Sequence, residues 1–524
     1  MKKNRNARRF GKRMLSMTLA VTIFALLLSG CAGFTTSKVS NEGDELTYCM
    51  KLGDSMKLVI TDFGETPIGK KWSEDTGIKV KYQHPESDEQ FNLMISSNNL
   101  PDIVETNWVT FPGGPAKAIS DNQIKGFDEK TMKEKAPNFM AYINAHPELK
   151  KMCTTDDGTY YMFPFIRGDK SLTVSNGPVV RKDWLDDLGM NVPETMDDWY
   201  KMLSAFKNKK GASAPLVLST LSSLYAGMFS GAYGAPRDFF VDDNGKIQFG
   251  GILDGYKECL TELNKWYNEG LLDKNFMGND AKNVGSSMTN GTSGAAYAAI
   301  GSGIGAWMAA APDDKYEVCA APYPVLNRGE KCMYGNAWNI IYGYGAAIST
   351  SCKDIDSAMK LLDYCYSEKG SMLMNFGIEG ESYEMVDGYP TYTDLITKNP
   401  EGLSMASALY KYTRAAYQGP FVQDKRYMEQ YGSLPQQKEA LTVWSNTDAE
   451  NHIMPPILPT EKENSELSKI TSDCFTCLDE YTVRFISGTE SFDNWDSFVE
   501  KIKSLNVERA IEIYQAAYDR YINK

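Results

Sequence analysis

The sequence predicts an α/β protein, on three observations. From Met56 onward, apolar runs of strand length alternate with amphipathic runs of helical length. The helical runs carry capping residues at their ends. The resulting order, β-α-β-α-β, is that of a parallel sheet covered by helices, whose ligand crevice lies beyond the carboxyl ends of the strands.

Taken in order, "MKLVITDF" (residues 56–63) reads as the first strand and "TPIGKKWSEDTG" as a helix. Thr66 suits its N-cap, Pro67 its first position and Gly77 its exit. "IKVKYQH" reads as a strand, "SDEQFNLMISSNN" as a helix and "DIVETN" as a strand. Ser87 and Gln90 form a capping box for the second of these helices. Trp108 follows the third strand and so falls where a ligand would be. "RKDWLDDLGMNVPETMDDWYKMLSAFK" and "GYKECLTELNKWYNEGLLDKNF" read as helices. Between Val284 and Pro312 the chain turns rich in Gly, Ala and Ser, but a mere linker would have no use for Trp307. "YEVCAAPYPV" and "GYGAAIS" read as strands, and "DIDSAMKLLDYCYSEKG" as a helix stopped by Gly370. The last third is mostly helical, and Ala510, Tyr514, Ala517, Tyr518 and Tyr521 share one face of its closing helix.

At 524 residues the chain is long enough for two or more domains. Its net charge of −13 argues against nucleic acid or an anionic surface as partner. Seven basic residues and no acid stand in the first 13 positions, ahead of an apolar run from Met14 to Leu28. This is the layout of an export signal, and it is shorter than a membrane-spanning helix. Leu28-Ser29-Gly30-Cys31 resembles the bacterial lipobox, in which the cysteine thiol receives a diacylglycerol. That resemblance makes Cys31 a lipid anchor, with the polar run after it as a leash. Of the ten cysteines, Cys474 and Cys477 form the one Cys-x-x-Cys pair. It reads as small apolar core residues ahead of a redox or metal pair.

Several stretches together resemble the family 1 extracellular solute-binding proteins of ABC importers, in the long LplA-like lipoprotein branch. They are "LPDIV" (100–104), "VVRKDWLDDLGMNVPETMDDW" (179–199), "KWYNEGLLDKNF" (265–276), "FGIEGESYEMVDG" (376–388) and "NWDSFVEKIKSLNVERAIEIYQAAYDRY" (494–521). The resemblance implies a type II periplasmic-binding-protein-like fold, α/β, with two discontinuous hinge-linked lobes and a ligand cleft between them. On it, residues 1–30 are a lipoprotein signal peptide and 31–54 a lipid-anchored flexible linker. Residues 55–168 and 323–395 make the first lobe, and 169–322 and 396–524 the second. The first crossing falls near "FPFIRGDKSLTV", the return near "APYPVLNRG" and the last crossing near residues 392–403. The implied function is a monomeric receptor on the outer face of a Gram-positive cell membrane. It captures an oligosaccharide and delivers it to ABC permease subunits. A receptor for another solute such as a peptide, or a secreted glycoside-active enzyme, are the alternatives.

A sugar offers hydroxyls around apolar C–H faces, so its cleft needs flat aromatic rings beside planar polar groups. With 9 Trp and 30 Tyr the chain has such rings to spare. By resemblance to maltose-type binders, Trp108 and Trp307 are the expected stacking platforms. Trp338, Asn339 and Tyr344 follow the presumed return crossing, Arg167 lies in the first crossing, and Tyr225 is a further candidate. Arg167 could fork onto hydroxyls or a uronate, or form an interlobe salt bridge.

Enzyme chemistry finds little support. The adjacent acidic pairs, Asp156-Asp157 among them, point apart, whereas hydrolysis of a glycoside needs two converging carboxylates. His84, His146 and His452 are too dispersed for a local zinc motif. "GSGIG" lacks dinucleotide-fingerprint spacing, and "VDDNGK" is too short for the calcium loop of alginate-type binders. No catalytic residue, metal or cofactor is expected.

Overall fold

The computed structural model describes residues 45–218, 224 and 226–524. The signal segment and Cys31 lie outside them, as does Tyr225. Two sheets organise the chain. The first runs Lys79–Gln83, Glu45–Met50, Ile103–Asn107, Tyr344–Ile348, Phe163–Pro164. Its first three strands are parallel, with Tyr48 opposite Tyr82 and Ile103, and its last two are antiparallel additions. The second runs Val318–Ala320, Asn176–Arg181, Ala295–Ala299, Leu216–Val217.

The helix Pro67–Thr76 and the strands Lys79–Gln83 and Ile103–Asn107 lie where the sequence places them. Thr66 accepts the Gly69 N–H, and Gly77 closes the helix at φ 71°. The first strand does not. It is Glu45–Met50, inside the segment read as leash, while part of "MKLVITDF" is the short helix Asp54–Lys57 and its exit turn. Leu46 to Met50 are all buried, because this strand is central and covered on both faces, so no alternation marks it. The capping box at Ser87 is also displaced. Ser87 accepts the Gln90 N–H, but Gln90 answers to the N–H of Glu86 at 2.7 Å.

Gly370 does not stop a helix. One helix ends at Tyr364 and a second, Glu368–Phe376, runs through Gly370. A Cβ there would stand 1.8 Å from the Tyr364 carbonyl oxygen, so glycine is what lets the two helices join so tightly.

Each sheet has its own apolar core. Trp72, Phe139 and Tyr48 are fully buried around the first. Trp199, Trp266 and Phe229 lie in the largest cluster of the second, joined by Cys474 and Cys477 on the long helix Glu461–Ser487. The described cysteines are all buried and free, so the Cys-x-x-Cys pair is core packing.

The chain crosses between the sheets three times. It leaves the first through Ile166–Arg167, returns between Ala320 and Tyr344, and leaves again after Val422–Gln423. The three passages are laced together: Ile166 N–H bonds the Phe421 carbonyl, Arg167 N–H that of Ile340, and Gly168 N–H that of Gln423. Re-entry into the second lobe therefore comes later than the expected residue 396. Tyr410, Tyr417 and Phe421 still pack on the first core, and only the helix Pro435–Ser445 lies on the second sheet, with Trp444 donating to the Pro178 carbonyl.

Candidate functional site

Two adjoining cavities, of about 560 and 630 Å³, lie beside the return crossing and share Asp238, Tyr334, Ala337 and Trp338. Together they form one groove. One half is walled by the second sheet and the turn after its strand Ala295–Ala299, through Tyr297, Ser302, Gly303 and Trp307. The other reaches the first lobe at Val109 and Thr110 and is closed by residues 453–471.

Trp307 is the second residue of a short helix, Ala306–Ala309, that follows the glycine-rich π-helical segment Ile300–Gly305. Its indole edge lies against Gly285, where a Cβ would come within 2.9 Å of Nε1. The ring is 5% exposed, lines the groove, and its N–H has no hydrogen-bond partner among the described residues. Trp338 is 44% exposed and borders both halves. Its ring begins a ladder: Tyr342 stands 6.1 Å away and Tyr344 a further 6.4 Å.

Behind that ladder sits Arg167, its guanidinium 5.4 Å from Phe165 and Trp338 and 5.0 Å from Tyr342. It donates to the Asn339 carbonyl at 3.1 Å, and burial lowers its pKa to about 10. No carboxylate pairs with it among the described residues, so the alternative of an interlobe salt bridge is not realised. It braces aromatic rings instead.

Polar groups complete the groove. Asn336 Oδ1 accepts the N–H groups of Ser175 and Asn176, which leaves its amide NH₂ for the cavity. Tyr323, whose hydroxyl donates to the Asn176 carbonyl, accepts the Asn336 N–H and lies 3.3 Å from the hydroxyl of the lining residue Tyr297. Asp238 accepts its neighbour Phe239 N–H at 2.7 Å through Oδ1 and lines both halves of the groove. Burial holds its carboxyl above the usual range.

The expected residues thus divide. Trp307, Trp338 and Asn339 line the groove, and Arg167 supports it from behind. Asn339 spends its amide NH₂ on the Met454 carbonyl and so ties the crossing to the groove's far wall. Trp108 is corrected: it is fully buried, donates to the Gly345 carbonyl and packs on Phe111. Val109 and Thr110 face the groove in its place. Tyr344 lines a separate 390 Å³ cavity at the strand ends of the first sheet. There its hydroxyl donates to Glu105, which also takes Tyr48 and the fully buried Arg414. Sequence reasoning missed Asp238, Tyr297, Tyr334 and Asn336. The one available signal was an acid standing in the apolar run "APRDFFV".

The family model for bacterial extracellular solute-binding proteins matches residues 59–372. Among curated relatives, the fructooligosaccharide ABC transporter substrate-binding protein FusA of Streptococcus pneumoniae serotype 4 is 29% identical over 233 residues. That alignment takes 41% of this chain and 42% of FusA, so it spans less than half of that protein's length. Lipoprotein LipO of Bacillus subtilis is 22% identical over 408 residues, 74% of this chain and 77% of LipO. Among solved structures, the alginate-binding protein AlgQ2 superposes with a TM-score of 0.74 at 21% identity, over 91% of this chain and 99% of that one. The family match covers more than half of the chain, and the two-lobed fold agrees with it: the chain belongs to the bacterial extracellular solute-binding proteins.

Proposed function

We propose that this protein is the lipid-anchored receptor of an ABC importer, capturing an oligosaccharide in the groove and presenting it to the permease. The observation that carries the reading is the pair of adjoining cavities that meet at Trp338, flanked by Trp307, Asp238 and Asn336. Each half is large enough to enclose a small ligand, so the two in line favour an extended one. Aromatic faces beside single, fixed polar groups suit a chain of sugar rings. FusA, by its name, binds fructooligosaccharides, and AlgQ2 binds alginate, which places saccharides within the reach of the fold.

The protein performs no chemistry in this reading. Asp238 is the one carboxylate among the described residues lining the two cavities, and glycoside hydrolysis calls for two. Binding works by population shift: a ligand that touches both lobes favours the closed state only as far as it prefers it over the open one. Cys31 carries the diacylglycerol that keeps the receptor beside its transporter, in keeping with the lipoprotein LipO among its relatives. Among the described residues no helix is long and apolar enough to cross a membrane.

The test is thermal unfolding against oligosaccharides, monosaccharides and short peptides. A ligand that binds the native form must raise the melting temperature as it exceeds its Kd. A rise with one oligosaccharide series is expected. A rise with peptides alone would replace the sugar by a peptide and keep the receptor. For the anchor, Cys31→Ala is expected to release the protein from the membrane fraction, and continued retention would exclude the thioether.

A further inference from the structure

We propose that the groove selects oligosaccharides without acidic groups and that Asp238 is the residue that sets this selectivity. The inference rests on the reading of the groove as a sugar site. Both halves are lined by aromatic rings, small residues, neutral amides and hydroxyls, and the one charged side chain among their described lining residues is Asp238. It belongs to both halves, so a ligand that passes Trp338 passes this carboxylate as well.

The nearby cations are committed elsewhere. Arg237, next to Asp238 in the chain, holds Asp479 at 2.7 Å and lies 4.5 Å from the Phe475 ring. Arg167 stands behind Trp338 and Tyr342, bonded to the Asn339 carbonyl, and lines neither cavity. A uronate carboxylate in the groove would therefore meet a like charge in a poorly hydrated place, with no cation among the described lining residues to answer it. A neutral sugar meets the same Asp238 carboxylate as an acceptor for a hydroxyl, held in place by the Phe239 N–H on Oδ1. The net charge of −13 also disfavours the approach of a polyanion. AlgQ2, whose alginate is a polyuronate, thus shares the fold and not this selectivity.

The experiment is calorimetric titration of the protein with neutral fructo-, malto-, xylo- and manno-oligosaccharides and with oligogalacturonates and oligoalginates of equal length, at one ionic strength. The best neutral ligand is expected to bind at least about tenfold more tightly than any acidic one, the scale of a like-charge contact across a protein-like medium. Asp238→Asn is expected to narrow that ratio and Asp238→Glu to keep it. An acidic oligosaccharide that binds as tightly as the neutral ones would overturn the inference and leave the sugar receptor standing, as would an unchanged ratio in Asp238→Asn. If that variant does not fold, the wild-type ratio decides alone. Binding of peptides with no sugar would overturn the sugar reading and this inference together.

Discussion

Trp108, Trp307 and Trp338 are one residue type in three physical situations, and substitution separates them. Trp338→Ala removes a half-exposed ring from the groove and should weaken ligand binding by about tenfold or more while the melting temperature without ligand changes little. Trp307→Ala removes a ring that lines the groove yet is packed in a core, so it should weaken binding and lower that melting temperature as well. Trp108→Ala instead empties a filled core and removes a buried hydrogen bond to the Gly345 carbonyl, so it should cost about 3–5 kcal/mol in a urea titration. Equal loss of stability at all three would deny the distinction. The cysteines give a second residue-scale prediction. Burial pushes the thiols of Cys49, Cys153 and Cys332 up to about 12, so a thiol reagent at pH 8 should find these three unreactive until denaturant is added.

At the scale of elements, legibility followed local signals. The helix Pro67–Thr76 announces itself through Thr66, Pro67 and Gly77, and the strand Lys79–Gln83 through its alternation. Glu45–Met50 was hidden because a doubly covered strand has no polar face, while "MKLVITDF" imitates one with Leu58 84% exposed. Gly370 misled because a helix-ending glycine and a close-packing glycine look alike in sequence; only the neighbouring Tyr364 carbonyl tells them apart. Gly370→Ala forces backbone apart and should destabilise by about 1–3 kcal/mol, measured as a lower urea midpoint at unchanged slope. In the groove, Trp307 and Trp338 were legible from glycine-rich and crossing contexts. Asp238, Tyr297 and Asn336 were not, since they lie far apart in sequence and meet only when the return passage folds back beside the second sheet.

For the whole molecule, two cores are joined by three hydrogen-bonded passages of the chain, about which the lobes can turn, and by ion pairs such as Lys117–Glu461 and Arg520–Asp156 that such a turn would have to rearrange. Small-angle scattering should give a smaller radius of gyration with a saturating oligosaccharide than without; an unchanged radius would mean capture without closure. The discontinuity that the sequence resemblance implied is present, with the last crossing later than expected because residues 405–423 complete the first lobe before the chain leaves it.

The place of Tyr344–Ile348 in the first sheet has a consequence for how the chain is made. This strand separates Ile103–Asn107 from Phe163–Pro164, yet more than 170 residues, including the whole second sheet, intervene before it is synthesised. Until it arrives, Ile103–Asn107 is an open edge, able to pair with any passing strand. The first lobe thus begins first and finishes after the second sheet is complete, a non-local closure that slows assembly. A chain ended at residue 340 should therefore aggregate, whereas its second sheet, with all four strands present, has already been made.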